Sequence, residues 1–139
     1  MKFMLIVKAT PDTEAGVMPT EQELLEMGRF NEELVKAGVM LAGEGLHPSA
    51  RGARIHYDGD RRTVVDGPFT EAKELIAGFW MIQAKSREEA IEWMKRAPFR
   101  DGQVEIRQVF DAADFGEAYT PEVAEQEARL RAGIEAQQN

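Results

Sequence analysis

The chain has 139 residues, 43% hydrophobic and 30% charged, enough for one folded domain with its own core and too apolar for a disordered segment. A formal charge of −8 argues against general affinity for nucleic acid, and the absence of cysteine removes disulfides, thiol nucleophiles and zinc–thiolate sites. Two histidines are too few for a multi-histidine metal site, and there is no run of the roughly 18 apolar residues that a membrane span needs.

Residues 3–7 (Phe-Met-Leu-Ile-Val) are apolar at every position, so both faces of this first strand should be covered. The apolar run is too short for a signal peptide and no small-residue cleavage site follows it, which predicts a cytoplasmic protein. A polar loop is expected over 10–19. Thr20-Glu21-Gln22-Glu23 is a capping box, with Thr20 at the N-cap and Glu23 reaching back from N3. Leu24, Met27, Phe30 or Asn31, and Leu34 then recur at helical spacing, and Gly38 suits the position just past the helix end.

A short second strand is expected over 39–42, closed by the glycine- and proline-bearing bend Gly43-Glu44-Gly45-Leu46-His47-Pro48-Ser49. Residues 53–57 alternate as a strand, Asp58-Gly59-Asp60 is a hairpin turn, and 61–65 is the returning strand. The run 75–84 is again apolar on both faces except at Gln83. Ser86-Arg87-Glu88-Glu89 is a second capping box, beginning a helix with Ala90, Ile91, Met94 and Ala97 inward, which stops before Pro98. A last strand follows over 104–110 with Glu105 and Arg107 on one side, then an irregular segment over 111–119. A polar helix begins at Thr120-Pro121.

Strand, helix, strand, hairpin, long strand, helix, strand is the order of an α+β ferredoxin-like βαββαβ sandwich with an inserted β-hairpin. Its two capped helices cover one sheet face. The doubly apolar strands need a cover on the other, which predicts a homodimer packed sheet to sheet; the C-terminal helix is the alternative cover.

Asp66-Gly67-Pro68-Phe69-Thr70-Glu71-Ala72-Lys73-Glu74 resembles the DGPF signature of the YCII-related protein family. Glu44-Gly45-Leu46-His47-Pro48-Ser49, Gly78-Phe79-Trp80, the helix from Ser86 to Trp93 and the closing Pro98 are similar to further segments of that family. The resemblance divides the chain into a family domain over 1–118 and a C-terminal helical extension over 119–139. It implies a dimeric α+β barrel, related in shape to muconolactone isomerases and small haem-free monooxygenases. It also implies kinship with proteins acting on small chlorinated aromatic compounds through a His–Asp pair, and with proteins associated with extracytoplasmic-function sigma factors.

Candidate chemistry gathers around the bend and the signature turn. His47 is the candidate base, since histidine titrates near neutral pH, and its bland alternative is a solvated loop residue. Asp66 is either a turn cap or the group orienting that base. Glu71, Lys73 and Glu74 form either an acid–base cluster with a charge-neutralising lysine or a solvated charged turn. Phe69, Phe79, Trp80 and Met81 are candidate pocket walls whose alternative is core or dimer interface. Lys8, at a strand end, is a candidate anchor for an anionic substrate, and His56 reads as a solvated strand residue.

There is no Gly-x-Gly-x-x-Gly turn or phosphate loop, and a metal site would need His47, Asp66 and Glu71 to converge, so neither cofactor nor metal is expected. Two readings follow. One is a cofactor-free lyase, isomerase or dehydrochlorinase taking a small anionic or aromatic molecule, with His47 and Asp66 catalytic. The other is a non-catalytic dimeric module binding a ligand or a regulatory protein such as a sigma factor.

Overall fold

The computed structural model of the chain describes residues 1–70 and 74–138. Two units separate, residues 1–109 and residues 110–139. The first runs β1 (Lys2–Lys8), α1 (Pro11–Glu14), α2 (Glu21–Lys36), β2 (Met40–Gly45), a 3-10 turn (Ser49–Arg51), β3 (Ala53–Asp58), β4 (Arg61–Asp66), β5 (Ile76–Gln83), α3 (Arg87–Lys95) and β6 (Val104–Gln108). Four strands form an antiparallel sheet in the order β2-β5-β1-β6, and β3 and β4 pair as a separate hairpin. Each helix connects two parallel strands that are split by a strand of the other half. This is the ferredoxin-like sandwich with an inserted hairpin.

Strand register fixes which side chains meet. One face carries three rows: Gln108–Phe3–Ile82–Met40, Ile106–Leu5–Trp80–Gly43 and Val104–Val7–Gly78–Gly45. Against it pack Phe30 and Leu34 of α2 and Ala90 of α3, with Phe3, Leu5, Leu34 and Ile82 fully buried. Each of these large side chains contributes about 2 kcal/mol through burial. The opposite face carries Arg107–Met4–Met81–Ala42 and Glu105–Ile6–Phe79–Glu44, where Met4, Ile6, Phe79 and Met81 are half-buried.

The capping reading holds at Thr20, whose side chain accepts the Glu23 N–H while Glu23 accepts the Thr20 N–H. At the second helix only half of it holds. Ser86 accepts the Glu89 N–H, but the Glu89 carboxylate accepts from Lys85 rather than from Ser86. The polar loop expected at 10–19 contains a one-turn helix, α1, because Thr10 and Thr13 cap each other around Pro11. Leu24 turns out exposed; Phe30 and Leu34 hold the buried stripe. β2 continues to Gly45 rather than stopping at Ala42, because pairing with β5 persists through Gly45 opposite Gly78.

In the second unit, residues 112–118 form 3-10 turns with Gly116 at φ 64°, and α4 spans Pro121–Gln138. Phe115 stacks between Phe110 and Tyr119, with centroid separations of 5.0 and 6.1 Å. The Tyr119 hydroxyl donates to Glu127 at 2.8 Å, which together with desolvation raises the phenol pKa.

Candidate functional site

Three glycines open a chamber. Gly43, Gly45 and Gly78 lie on the helix-facing side of the sheet and project no side chain toward α2. Above them Met27 and Asn31 of α2, with Val7, Trp80, Phe99 and Pro19, line a solvent-open pocket of about 440 Å³. Glu44, Ala77 and Phe79 also border it, but strand alternation directs their side chains to the other sheet face, so they border it through main chain. The volume falls in the range of small-molecule pockets, which is about 300–1,000 Å³.

Gly78 is required by close approach. A Cβ there would stand 2.8 Å from the Glu44 carbonyl oxygen, and at Gly43 it would meet the Trp80 ring at 3.0 Å. Beside Gly78 the β1–β5 register shifts between Val7 and Lys8, so a bulge and a close backbone approach occur together.

Trp80 is 5% exposed and meets Phe30 and Phe99 edge to face at 5.7 and 6.0 Å. Its indole N–H donates to Asn31 Oδ1 at 2.9 Å. An indole nitrogen can only donate, so this bond settles which end of the Asn31 amide is oxygen.

A second assembly joins the bend after β2 to the signature turn. The Ser49 N–H and hydroxyl donate to the two Glu14 carboxylate oxygens at 3.0 and 2.5 Å, and Ser49 Oγ accepts the Phe69 N–H at 3.0 Å. Alongside, the Gly67 N–H donates to the Gly52 carbonyl at 3.0 Å.

The predicted residues distribute as follows. His47 is exposed, and Arg51 Nη1 stands 3.2 Å from both of its ring nitrogens. One donor cannot align with two in-plane lone pairs that diverge, so this contact fixes no tautomer. Asp66 is exposed at the end of β4, opposite Ala53. The segments bearing His47 and Asp66 are therefore brought together through Ser49, while neither residue lines the chamber. Phe69 is half-buried beneath the Arg54 guanidinium, 3.8 Å from its ring centroid. Lys8 pairs with Glu105 at 3.5 Å. Glu105 also accepts from Arg107 at 3.2 Å, and the Arg107 bond first, then the Lys8 charge, lowers its carboxyl pKa. Glu71 and Lys73 lie outside the described residues, and Glu74 is exposed. His56 is exposed on the hairpin opposite Thr63.

Comparison with known proteins agrees with the signature residues: the YCII-related domain matches residues 1–113. The chain belongs to the YCII-related domain family. An uncharacterized protein of Rhizobium meliloti (strain 1021) is 28% identical over 75 residues, covering 54% of this chain and 60% of the relative; the match thus spans under two thirds of that protein. Among solved structures, 5-chloro-2-hydroxyhydroquinone dehydrochlorinase from Burkholderia phenoliruptrix AC1100, in complex with 2,5-dihydroxybenzoquinone, is similar at 15% identity with a TM-score of 0.40. That likeness covers 79% of this chain and 94% of the other.

Within the YCII-related domain, the signature glycine has a different reason from the one its turn suggests. Gly67 is not among the residues with positive φ; a Cβ there would lie 1.8 Å from the Ser49 carbonyl oxygen. Sequence reasoning missed Glu14 and Asn31. Asn31 did carry a signal, as a polar residue four positions after Met27 on an otherwise apolar helix stripe. Among the described residues no cluster of three His, Asp or Glu side chains has the geometry to hold a metal ion, and no helix is long and apolar enough to cross a membrane.

Proposed function

We propose that the YCII-related domain of this chain is a small-molecule enzyme of the lyase, isomerase or dehydrochlorinase type, working by proton transfer without a cofactor. The chamber over Gly43, Gly45 and Gly78 carries this reading, because a cavity of this size with aromatic and aliphatic walls suits a ring-sized substrate. His47, two residues beyond the chamber-bordering Gly45, serves as the base, and Asp66 orients it as the signature turn closes over Ser49. A general base needs hydrogen-bond reach to the proton that it removes, so His47 turns inward when substrate is bound.

The test is solvent-deuterium exchange. Ring-sized hydroxyaromatics, chloroaromatics and lactones are incubated with the protein in D2O and followed by proton NMR. A proton-transfer enzyme washes deuterium into its substrate's carbon even where no net product forms. Exchange that His47→Ala abolishes and Asp66→Asn slows is the expected result. Equal exchange by His47→Ala removes the base assignment, and no exchange or turnover across the panel removes the enzymatic reading.

The proposal includes a second copy of the chain on the other sheet face. Met4, Ile6, Phe79 and Met81 form an apolar centre there, flanked by Lys8, Glu105 and Arg107. An apolar centre with a charged rim is the anatomy of a protein interface.

A further inference from the structure

We infer that Asn31 is the specificity-determining donor of the chamber and that the ligand is a neutral, ring-sized molecule presenting an acceptor oxygen to it. This inference rests on the chamber being the binding site and deepens that reading. The Trp80 indole N–H takes one lone pair of Asn31 Oδ1, while the amide NH2 group makes no hydrogen bond among the described residues and is the end left to donate. Asn31 borders the chamber, and the other side chains facing it, Val7, Pro19, Met27, Trp80 and Phe99, offer that group no acceptor stronger than the Met27 thioether.

Charge decides the class. Glu44 is the one ionisable residue bordering the chamber among the described residues, and the pleat turns its carboxylate to the other sheet face. An anion seated here would shed part of its water without gaining a counter-charge, and an organic cation would offer the Asn31 NH2 group no acceptor. A carbonyl, ether or hydroxyl oxygen on an otherwise apolar ring satisfies the NH2 group and leaves no charge buried. The bond to Trp80 also holds the donor in one orientation before the ligand arrives, so little order is lost on binding.

The indole N–H of Trp80 is its own reporter, since it shares Asn31 with the ligand. In protein labelled with 15N-tryptophan two indole signals are expected, from Trp80 and Trp93, and Trp93→Phe assigns them. Four probes of similar size are titrated: acetophenone (neutral, with an acceptor), ethylbenzene (neutral, without one), benzoate (anionic) and benzyltrimethylammonium (cationic). A saturable Trp80 shift with acetophenone, about fivefold or more tighter than with ethylbenzene and absent with benzoate, is the expected outcome. Asn31→Asp keeps the oxygen that Trp80 needs and removes the NH2 group, so it should erase the preference for acetophenone over ethylbenzene. Equal binding of those two by the wild-type protein overturns the role of Asn31. Preference for benzoate or for the ammonium probe overturns the neutral class while leaving the chamber as the site. No Trp80 shift with any probe overturns the chamber, and with it the substrate seat on which the enzymatic reading relies.

Discussion

Ser49 Oγ accepts the N–H of Phe69 at 3.0 Å while its own proton goes to Glu14 Oε2, so one hydroxyl links three segments of chain. The bond to Phe69 spans 20 residues of sequence and the bond to Glu14 spans 35, including the whole of α2. Ser49→Ala removes both side-chain bonds and leaves the Phe69 N–H and one Glu14 oxygen without their partner. A loss of about 2 kcal/mol is expected, since one of the two bonds ends on a charged acceptor. Urea denaturation measures it, and faster amide exchange at Phe69 would locate it.

Gly67→Ala acts on the same junction from the other side. Its Cβ would stand 1.8 Å from the Ser49 oxygen and 2.6 Å from the Ser49 carbonyl carbon. Both are main-chain atoms, so a rotamer change cannot relieve the clash. The expected loss is about 3 kcal/mol, at the upper end for overpacking. Gly45→Ala, with nothing within 4 Å of its Cβ, is the control and should cost under about 1 kcal/mol. Thermal melts of the two variants decide between them.

The buried indole makes a third case. Asn31→Leu fills similar volume but leaves the Trp80 N–H without an acceptor in a site where the residue is 5% exposed. An unpaired buried donor costs about 1–3 kcal/mol. Asn31→Asp retains an acceptor but adds a carboxylate to the same wall, so its melting above Asn31→Leu would show that the hydrogen bond outweighs the cost of that charge.

These sites show what was legible in the sequence and what was not. Thr20, Gly38, Gly59 and Ser86 act on their own neighbours, and the expected elements form around all four. The α+β order follows from them and from the two doubly apolar strands. Glu14 was unreadable because its partner Ser49 lies across α2 and β2. The chamber was unreadable for a different reason: it exists where side chains are missing. Gly43 and Gly45 read as a bend because glycine usually marks one, whereas here the strand runs through both, opposite Trp80 and Gly78. Phe79 borders the chamber through its main chain, and its alternation places its side chain with Ile6 on the opposite face.

The pH dependence of Glu105 follows from its two cations. The hydrogen bond from Arg107 and then the charge of Lys8 favour the ionised carboxylate, so its folded pKa lies below the ordinary glutamate value. A depressed pKa means that the folded state binds this proton less readily than the unfolded state does. The stabilisation is therefore present above the unfolded pKa and is lost as pH falls through the folded one, in the acid range. Carboxyl 13C titration should place Glu105 below the exposed glutamates. Arg107→Gln and Lys8→Met should each move it up, and a variant that leaves it in place would contradict the assignment of causes.

The open sheet face gives the last prediction. Phe79 lies opposite Glu44 and Ile6, in the middle of the face proposed to meet a second copy. Phe79→Lys sets a lysine directly across from Glu44, a cross-strand pair of opposite charge that an isolated sheet tolerates. In a dimer the same lysine would meet its own symmetry mate near the centre of an apolar interface, and burying it unpaired is costly. The wild type is expected to run as a dimer in light scattering coupled to gel filtration, and Phe79→Lys as a folded monomer with unchanged far-ultraviolet circular dichroism. Leu24→Lys, on an exposed position of α2, should leave the dimer intact. A wild-type protein that is monomeric at high concentration would leave the apolar centre at Ile6 and Phe79 to some other cover, and the second copy would have to be abandoned.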